Sequence, residues 1–273
     1  MCYYIATRWI RQIITINEQK FLHEHEPLKV ARNYESTVYV LGDELYKILN
    51  LPYDILDSGN REYSRFLKYR ENNVVELMRL NPNGGCNPKA LLISEKYFLG
   101  CVYPYLNGYD ELLVKHYPIE IRAELCRKLN EIFREFWKLN IQYTDLSLHN
   151  VMTDGKDIKF VDMDSISMNK FQTYGEEERF LIFTCQQLAI LSLSILLDLD
   201  IDGLNISNYN LLKSLTKVLD NKELINILAY SLETKFAYKP YFVDRVLDKV
   251  DLEKLDDRVK SFSIKRWGNW KKL

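Results

Sequence analysis

The sequence predicts an α+β protein in two lobes, and three observations point there. Short β-type runs separated by turn signals fill the first third of the chain. Helical periodicity fills most of the remainder, and Tyr103 to Gly108 is the natural crossing between the two regions. The 273 residues are read as one domain. A β-rich lobe covers 1–103, with 1–28 as an N-terminal extension, and a mainly helical lobe covers 104–273.

From about Tyr34 to Leu49, "YESTVYVLGDELYKIL" reads as two strands around a Gly42-Asp43 turn. A helix is expected near Asn60 to Met78, with Phe66, Leu67 and Val74 on its inner face. "NPNGGCNP" (81–88) is the strongest loop signal in the chain. "ALLISEKYFLGCVYPYL" (90–106) suggests another β pair. After "NGYDEL" the pattern turns helical: Pro118 suits a helix start, and Ile121, Leu125, Leu129, Ile132, Phe133, Phe136 and Leu139 recur at helical spacing. A second hairpin turn is expected at Asp154-Gly155.

Composition narrows the function classes. The chain is 47% hydrophobic and 27% charged, with net charge −1, and so lacks the basic excess of a dedicated nucleic-acid binder. Cys2, Cys86, Cys101, Cys126 and Cys185 are scattered without CxxC spacing. That argues against a disulfide framework or zinc site and suits a reducing, cytoplasmic setting. The first residues, "MCYYIATRWIRQIITI", make a poor signal peptide because Arg8 and Arg11 interrupt the apolar run. "FLIFTCQQLAILSLSILLDL" (180–199) is long enough to span a bilayer. Its Thr184, Gln186, Gln187, Ser192 and Ser194 favour a buried helix of a large domain instead.

The chemistry concentrates in "YTDLSLHNVMTDGKDIKFVDMDS" (143–165), which sets five Asp, one Asn and one His among short β runs. Carboxylates disfavour strands and are costly to bury unpaired. Asp145 and Asn150 precede the first β run, and Asp162 and Asp164 follow the second. A hairpin between them would gather hard oxygen ligands of the kind that suit Mg²⁺ with substrate phosphates. Taken singly, each residue is better read as capping a turn, and only the ordered set D-x4-N, hairpin, apolar-D-x-D points to a metal site.

The ordered set resembles a known family. "DLSLHN" looks like the D-x4-N catalytic loop of the protein-kinase-like superfamily, and "FVDMDS" stands where that family begins its DFG motif. "LYKIL" places Lys47 where the family has its strand lysine, "NREYSRFL" offers Glu62 on the following helix, and "VYPYLNGYDEL" resembles the hinge. The resemblance covers roughly residues 30 to 200. It implies a bilobal kinase-like fold that binds ATP and Mg²⁺. Lys47 would hold the α and β phosphates, positioned by a salt bridge to Glu62. Asn150 and Asp162 would ligate Mg²⁺, and Asp145 would take the acceptor's proton. Pro104 and Leu106 would meet adenine through backbone C=O and N–H. Asp164, in place of the DFG glycine, resembles the second carboxylate of aminoglycoside and choline kinases and would touch a second metal. His149 is read as a structural residue that packs or hydrogen-bonds.

The departures define the kind of kinase. "ARNYESTVYV" has no glycine, so Ser36 and Thr37 would cover the phosphates instead. The usual His-Arg before the catalytic Asp is Tyr143-Thr144, and the lysine two residues after it is Ser147. Fewer than twenty residues separate Asp162 from the buried helix, with no A-P-E, so a peptide-docking activation segment is not expected. These features imply an atypical serine/threonine protein kinase, with a small-molecule kinase, a pseudokinase scaffold and a nucleotidyl transferase as the alternatives. Expected partners are ATP and an unidentified protein or small-molecule acceptor. "KSFSIKRWGNWKKL" (260–273) mixes basic and aromatic residues. It is read either as a tail packed on the helical lobe or as a membrane or partner contact.

Overall fold

The computed structural model describes residues 13–28, 35–143, 145–168, 176–201, 208–232 and 240–262. The protein is α+β, as expected, and its described residues form two compact units. One is drawn from Met1–Gly108 and Phe160–Phe171, the other from Tyr109–Lys159 and Gln172–Leu273. Nearly all of the expected tail, and residues 1–12 of the N-terminal extension, lie outside the described residues.

The first unit is built on a five-stranded sheet ordered β1-β4-β5-β3-β2. Strands β2 (Ser36–Leu41) and β3 (Glu44–Leu49) pair antiparallel from Ser36 opposite Leu49 to Leu41 opposite Glu44. This leaves Gly42 and Asp43 as the turn, with Gly42 at the positive φ of 61° that such turns need. Strands β4 (Ala90–Ile93) and β5 (Phe98–Pro104) form the second expected pair. Sequence reading missed β1 (Ile13–Thr15), which adds parallel to β4, and the helix α1 (Glu18–Glu24) behind it. A three-residue strand at a sheet edge carries too few residues for a periodic signal.

A short helix α2 (Tyr53–Asp57) leads into α3 (Arg61–Leu80). The α3 N-terminus is set by Asn60, whose side chain accepts hydrogen bonds from the backbone N–H groups of Glu62 and Tyr63, both at 3.0 Å. The helix buries Leu67, Arg70, Asn73, Val74 and Leu77. Leu67 and Val74 lie on the inner face as expected, but Phe66 does not: it is 46% exposed, one step off the buried stripe. The Arg70 guanidinium lies 5.7 Å from its ring centroid.

Gly100 is fixed by close approach. Its φ of +145° is one that L residues rarely adopt, and a Cβ there would lie 2.0 Å from the Lys47 carbonyl oxygen. Gly100→Ala is therefore expected to lower the urea unfolding midpoint by the equivalent of about 1–3 kcal/mol. An unchanged midpoint would contradict this packing of β5 on β3.

The second unit opens with a two-residue strand, β6 (Asp110–Glu111), within the stretch expected to lead into helix. Helix α4 (Ile119–Lys138) follows directly after Pro118 and buries Leu125, Cys126, Leu129, Phe133 and Phe136. Next come β7 (Ile141–Tyr143), β8 (Val151–Thr153) and β9 (Ile158–Phe160). β8 lies between β6 and β9 in a three-stranded sheet. The β8–β9 turn is the expected one. Asp154 accepts from the backbone N–H groups of Lys156 (2.8 Å) and Asp157 (2.7 Å), and Gly155 has a φ of 86°.

Helix α5 (Glu176–Leu197) holds the expected buried run, with Leu188, Ala189, Leu193 and Leu196 fully enclosed. Its interior polar groups have partners. Ser192 Oγ accepts from Asn130 Nδ2 at 3.1 Å, and Ser194 Oγ accepts from the Ile201 N–H at 3.3 Å. Among the described residues, no helix is long and apolar enough to cross a membrane. Helices α6 (Asn208–Leu219), α7 (Lys222–Leu232), α8 (Asp244–Leu247) and α9 (Leu252–Phe262) complete the unit. Buried Arg122 ties α4 to two of its neighbours, donating to the Leu196 carbonyl at 2.7 Å and pairing with Asp256 of α9.

Candidate functional site

A buried lysine needs buried counter-charge, and the first unit supplies it. Lys47 points from β3 into the interior, 6% exposed. Its ammonium bonds Asp162 Oδ1 and, at 2.8 Å, Asp164 Oδ1. The two aspartates flank Met163 in a tight 3-10 turn, Met163–Ser165, which Asp162 enters at φ 57°. Asp and Asn tolerate that left-handed conformation better than most residues.

The "NPNGGCNP" loop anchors the chain just before this turn. The Phe160 N–H donates to the Gly84 carbonyl at 2.8 Å, and the Cys86 N–H donates to the Phe160 carbonyl at 2.7 Å. Past the turn, α3 holds the short strand Ile166–Met168. Tyr69 bonds Ser167 through their hydroxyls, and the Met168 N–H donates to Asn73 Oδ1 at 3.2 Å.

The two carboxylates differ in setting. Asp164 is buried with both oxygens engaged: Oδ1 accepts from Lys47 and from the Tyr103 hydroxyl at 2.9 Å, and Oδ2 accepts from Arg70. Burial opposes its charge, but Lys47 and Arg70 outweigh burial and hold its pKa well below the usual carboxylate range. The Asp162 side chain is more open, 27% exposed against 4%. Burial and then the Asp164 charge push its pKa up despite Lys47. For Lys47 burial works against the ammonium, and the aspartates more than offset it, so its pKa is raised. One carboxylate is thus locked as an ionic anchor, while the other lacks full compensation.

Glu62 does not join this cluster. It sits exposed in the first turn of α3, and the cation that α3 brings to the site is Arg70, two turns further on. Ser36 and Thr37 open β2 in register with Leu49 and Ile48. Ser36 is fully buried, and the Thr37 hydroxyl donates to Asn50 Oδ1 at 3.0 Å. Both residues belong to the sheet rather than to a loop. Pro104 ends β5 opposite Glu44, and the Cys86 thiol lies 3.5 Å from its carbonyl oxygen; Leu106 follows, half-buried.

In the second unit, the D-x4-N stretch folds on itself. Asn150 Nδ2 donates to Asp145 Oδ2 at 2.7 Å and to the Asp145 carbonyl at 2.8 Å. Buried Leu146 and Leu148 anchor the segment and leave the Asp145 carboxylate exposed but oriented. His149 makes the expected structural hydrogen bond, 3.0 Å from Glu111 Oε2, which raises its pKa.

Among the described residues, no group of three or more His, Cys, Asp or Glu is arranged to hold a metal. No dedicated protein cage is therefore present among the described residues. Mg²⁺ commonly uses only one or two carboxylates and completes its shell with water and substrate phosphates. The open, under-compensated Asp162 fits that mode, and Asp164, closed on three donors, does not offer a free oxygen.

Compared with known proteins, the chain matches no family model and no curated protein. Sequence reading missed Arg70 and Tyr103. Arg70 left a signal, since it interrupts the apolar series Leu67, Val74, Leu77 at helical spacing. A charge on a buried stripe calls for a buried partner.

Proposed function

We propose that this chain is an Mg·ATP-dependent phosphotransferase, an atypical kinase that moves the γ-phosphoryl group of ATP to a hydroxyl. The observation that carries the reading is the buried Lys47 of β3 bonded to Asp162 and Asp164, 115 and 117 residues along the chain. These are the lysine and the aspartate that the motif resemblance pairs around a nucleotide.

By the motif resemblance, Lys47 would hold the α and β phosphates and Asp162 and Asn150 would each offer an oxygen to Mg²⁺, while Asp164 fixes Lys47. When bound, Mg²⁺ would supply charge neutralisation on the phosphates. Asp145, oriented by Asn150, receives the acceptor's proton as the new O–P bond forms. The bond from the γ-phosphorus to the bridging oxygen breaks, and ADP leaves. The backbone of Pro104 and Leu106 meets adenine. A serine or threonine of a protein is the favoured acceptor, because Asp110 to Leu139 leaves little room for the inserted helices of small-molecule kinases. Cys86, Cys101, Cys126 and Cys185 are buried thiols held in no disulfide, which is in keeping with a cytoplasmic setting.

One observation favours a second reading, an ATP-binding scaffold without transfer. Glu62 stands apart from Lys47, and the lysine's charge is already matched by protein groups. Intact-protein mass spectrometry after incubation with Mg·ATP separates the readings. A phosphate adduct on wild type that Asp145→Ala abolishes is the expected result. An ATP thermal shift without transfer to the protein or to added hydroxyl acceptors would favour the scaffold. An AMP adduct would move the reaction to nucleotidyl transfer, and the absence of both adduct and shift would overturn the reading.

A further inference from the structure

We infer that Arg70 is the positioning residue for Lys47 and acts through Asp164, doing with a cation what the motif resemblance assigns to Glu62. The inference rests on the nucleotide-binding reading above.

The geometry is a relay of alternating charge. Glu35 bonds one terminal nitrogen of Arg70, the other terminal nitrogen bonds Asp164 Oδ2, and Asp164 Oδ1 bonds Lys47 at 2.8 Å. Arg70 and Asp164 are buried, whereas the Glu35 side chain is 59% exposed. The planar fork of arginine holds the two carboxylates on separate terminal nitrogens in a fixed geometry, whereas lysine offers a single nitrogen on a flexible stem. Asp164 thereby answers to two cations, and its hold on Lys47 is shared. With Arg70 removed, Lys47 becomes the only cation bonded to Asp164. The ammonium is then drawn toward that carboxylate and away from a phosphate.

Lys47 touches phosphates that are bound before and during transfer, so a misplaced Lys47 weakens both states equally. Such a loss of uniform binding raises KM and leaves kcat nearly unchanged. A merely structural Arg70 would give the opposite pattern, with fewer folded molecules, lower apparent kcat and the same KM.

The test is steady-state kinetics against Mg·ATP, with nucleotide affinity measured in parallel by titration. Wild type, Lys47→Ala, Arg70→Met, Arg70→Lys and Glu35→Gln would be compared. Arg70→Met is expected to raise KM and Kd for ATP about tenfold, the size of one charge-assisted hydrogen bond, with kcat within about twofold. Arg70→Lys should recover KM to within about threefold of wild type, because it restores the charge without the fork. Glu35→Gln, which removes charge only at the exposed end of the relay, should raise KM by less than Arg70→Met does, about twofold, with kcat unchanged. Should Arg70→Met fail to fold, Arg70→Gln tests the same loss of charge.

An Arg70→Met enzyme with unchanged KM, or with its loss confined to kcat, overturns the inference alone, provided Lys47→Ala still abolishes ATP binding. A wild-type chain that binds no Mg·ATP overturns the inference together with the nucleotide-binding reading.

Discussion

Asp162→Asn is expected to abolish Mg·ATP binding while leaving the fold at least as stable as wild type at pH 7. Asparagine is the right probe because it keeps the shape and tolerates the φ of 57° at this position, where alanine would add strain. Asp162 supplies the open carboxylate of the cluster, and in the proposed reading its loss would take Mg²⁺ from the phosphates. Transfer should fall by at least about 10⁴-fold, the upper end of what a positioned base alone contributes. Stability should move the other way. The folded-state pKa of Asp162 is raised by burial and by Asp164. For a carboxylate shifted upward, the stabilising contribution is present at low pH and is lost as pH rises through the folded pKa. At pH 7 the ionised Asp162 therefore works against folding, and neutral asparagine relieves its repulsion with Asp164. Lys47 still pairs with Asp164 at 2.8 Å. Calorimetric unfolding with and without Mg·ATP checks both halves. A retained ATP shift, or a fall in the unfolding temperature of the free protein, would contradict this account of Asp162.

Asp164→Ala is expected to destabilise the fold by about 3–5 kcal/mol, the usual cost of removing one partner from a buried ionic group. Three donors lose their acceptor at once: Lys47, the Tyr103 hydroxyl and Arg70. Asp162 and the exposed Glu35 remain, and they compensate Lys47 and Arg70 only in part. The effect has a pH signature of opposite sign to that of Asp162. Lys47 and Arg70, working against burial, hold the Asp164 pKa below its unfolded value. Its contribution is therefore fully present above the unfolded carboxylate pKa of about 3.9 and is lost as pH falls through the folded one. Wild-type stability should drop below about pH 4 more steeply than that of the variant, so the two urea-unfolding curves converge in acid. A constant gap between them down to pH 2 would show that Asp164 acts by packing alone.

The local elements were legible because their signals are local. Gly42-Asp43 and Asp154-Gly155 mark turns by backbone preference, and Asn60 marks the start of α3 by capping. The polar residues in 180–199 pointed to a buried helix whose hydroxyls have protein partners. Asp145 and Asn150 stand five residues apart and bond each other directly. The motif spacing of that pair was therefore a structural signal as well as a chemical one.

The choice between Glu62 and Arg70 was of another kind. Both lie on one helix, and a glutamate is the residue type expected to meet a strand lysine. They are eight residues apart, about 12 Å along the axis, and they face different directions around it. Position 62 shares the exposed side with Phe66, four residues on, whereas position 70 shares the buried stripe with Leu67, Val74 and Leu77. By itself the sequence determined the two hairpin turns, the helices α3, α4 and α5, and the run of acidic residues. Only the tertiary structure decided which charges meet. A buried ion pair between residues 47 and 164 depends on sheet register, helix phase and a turn at Asp162 together. None of these leaves a trace in the local pattern around either residue.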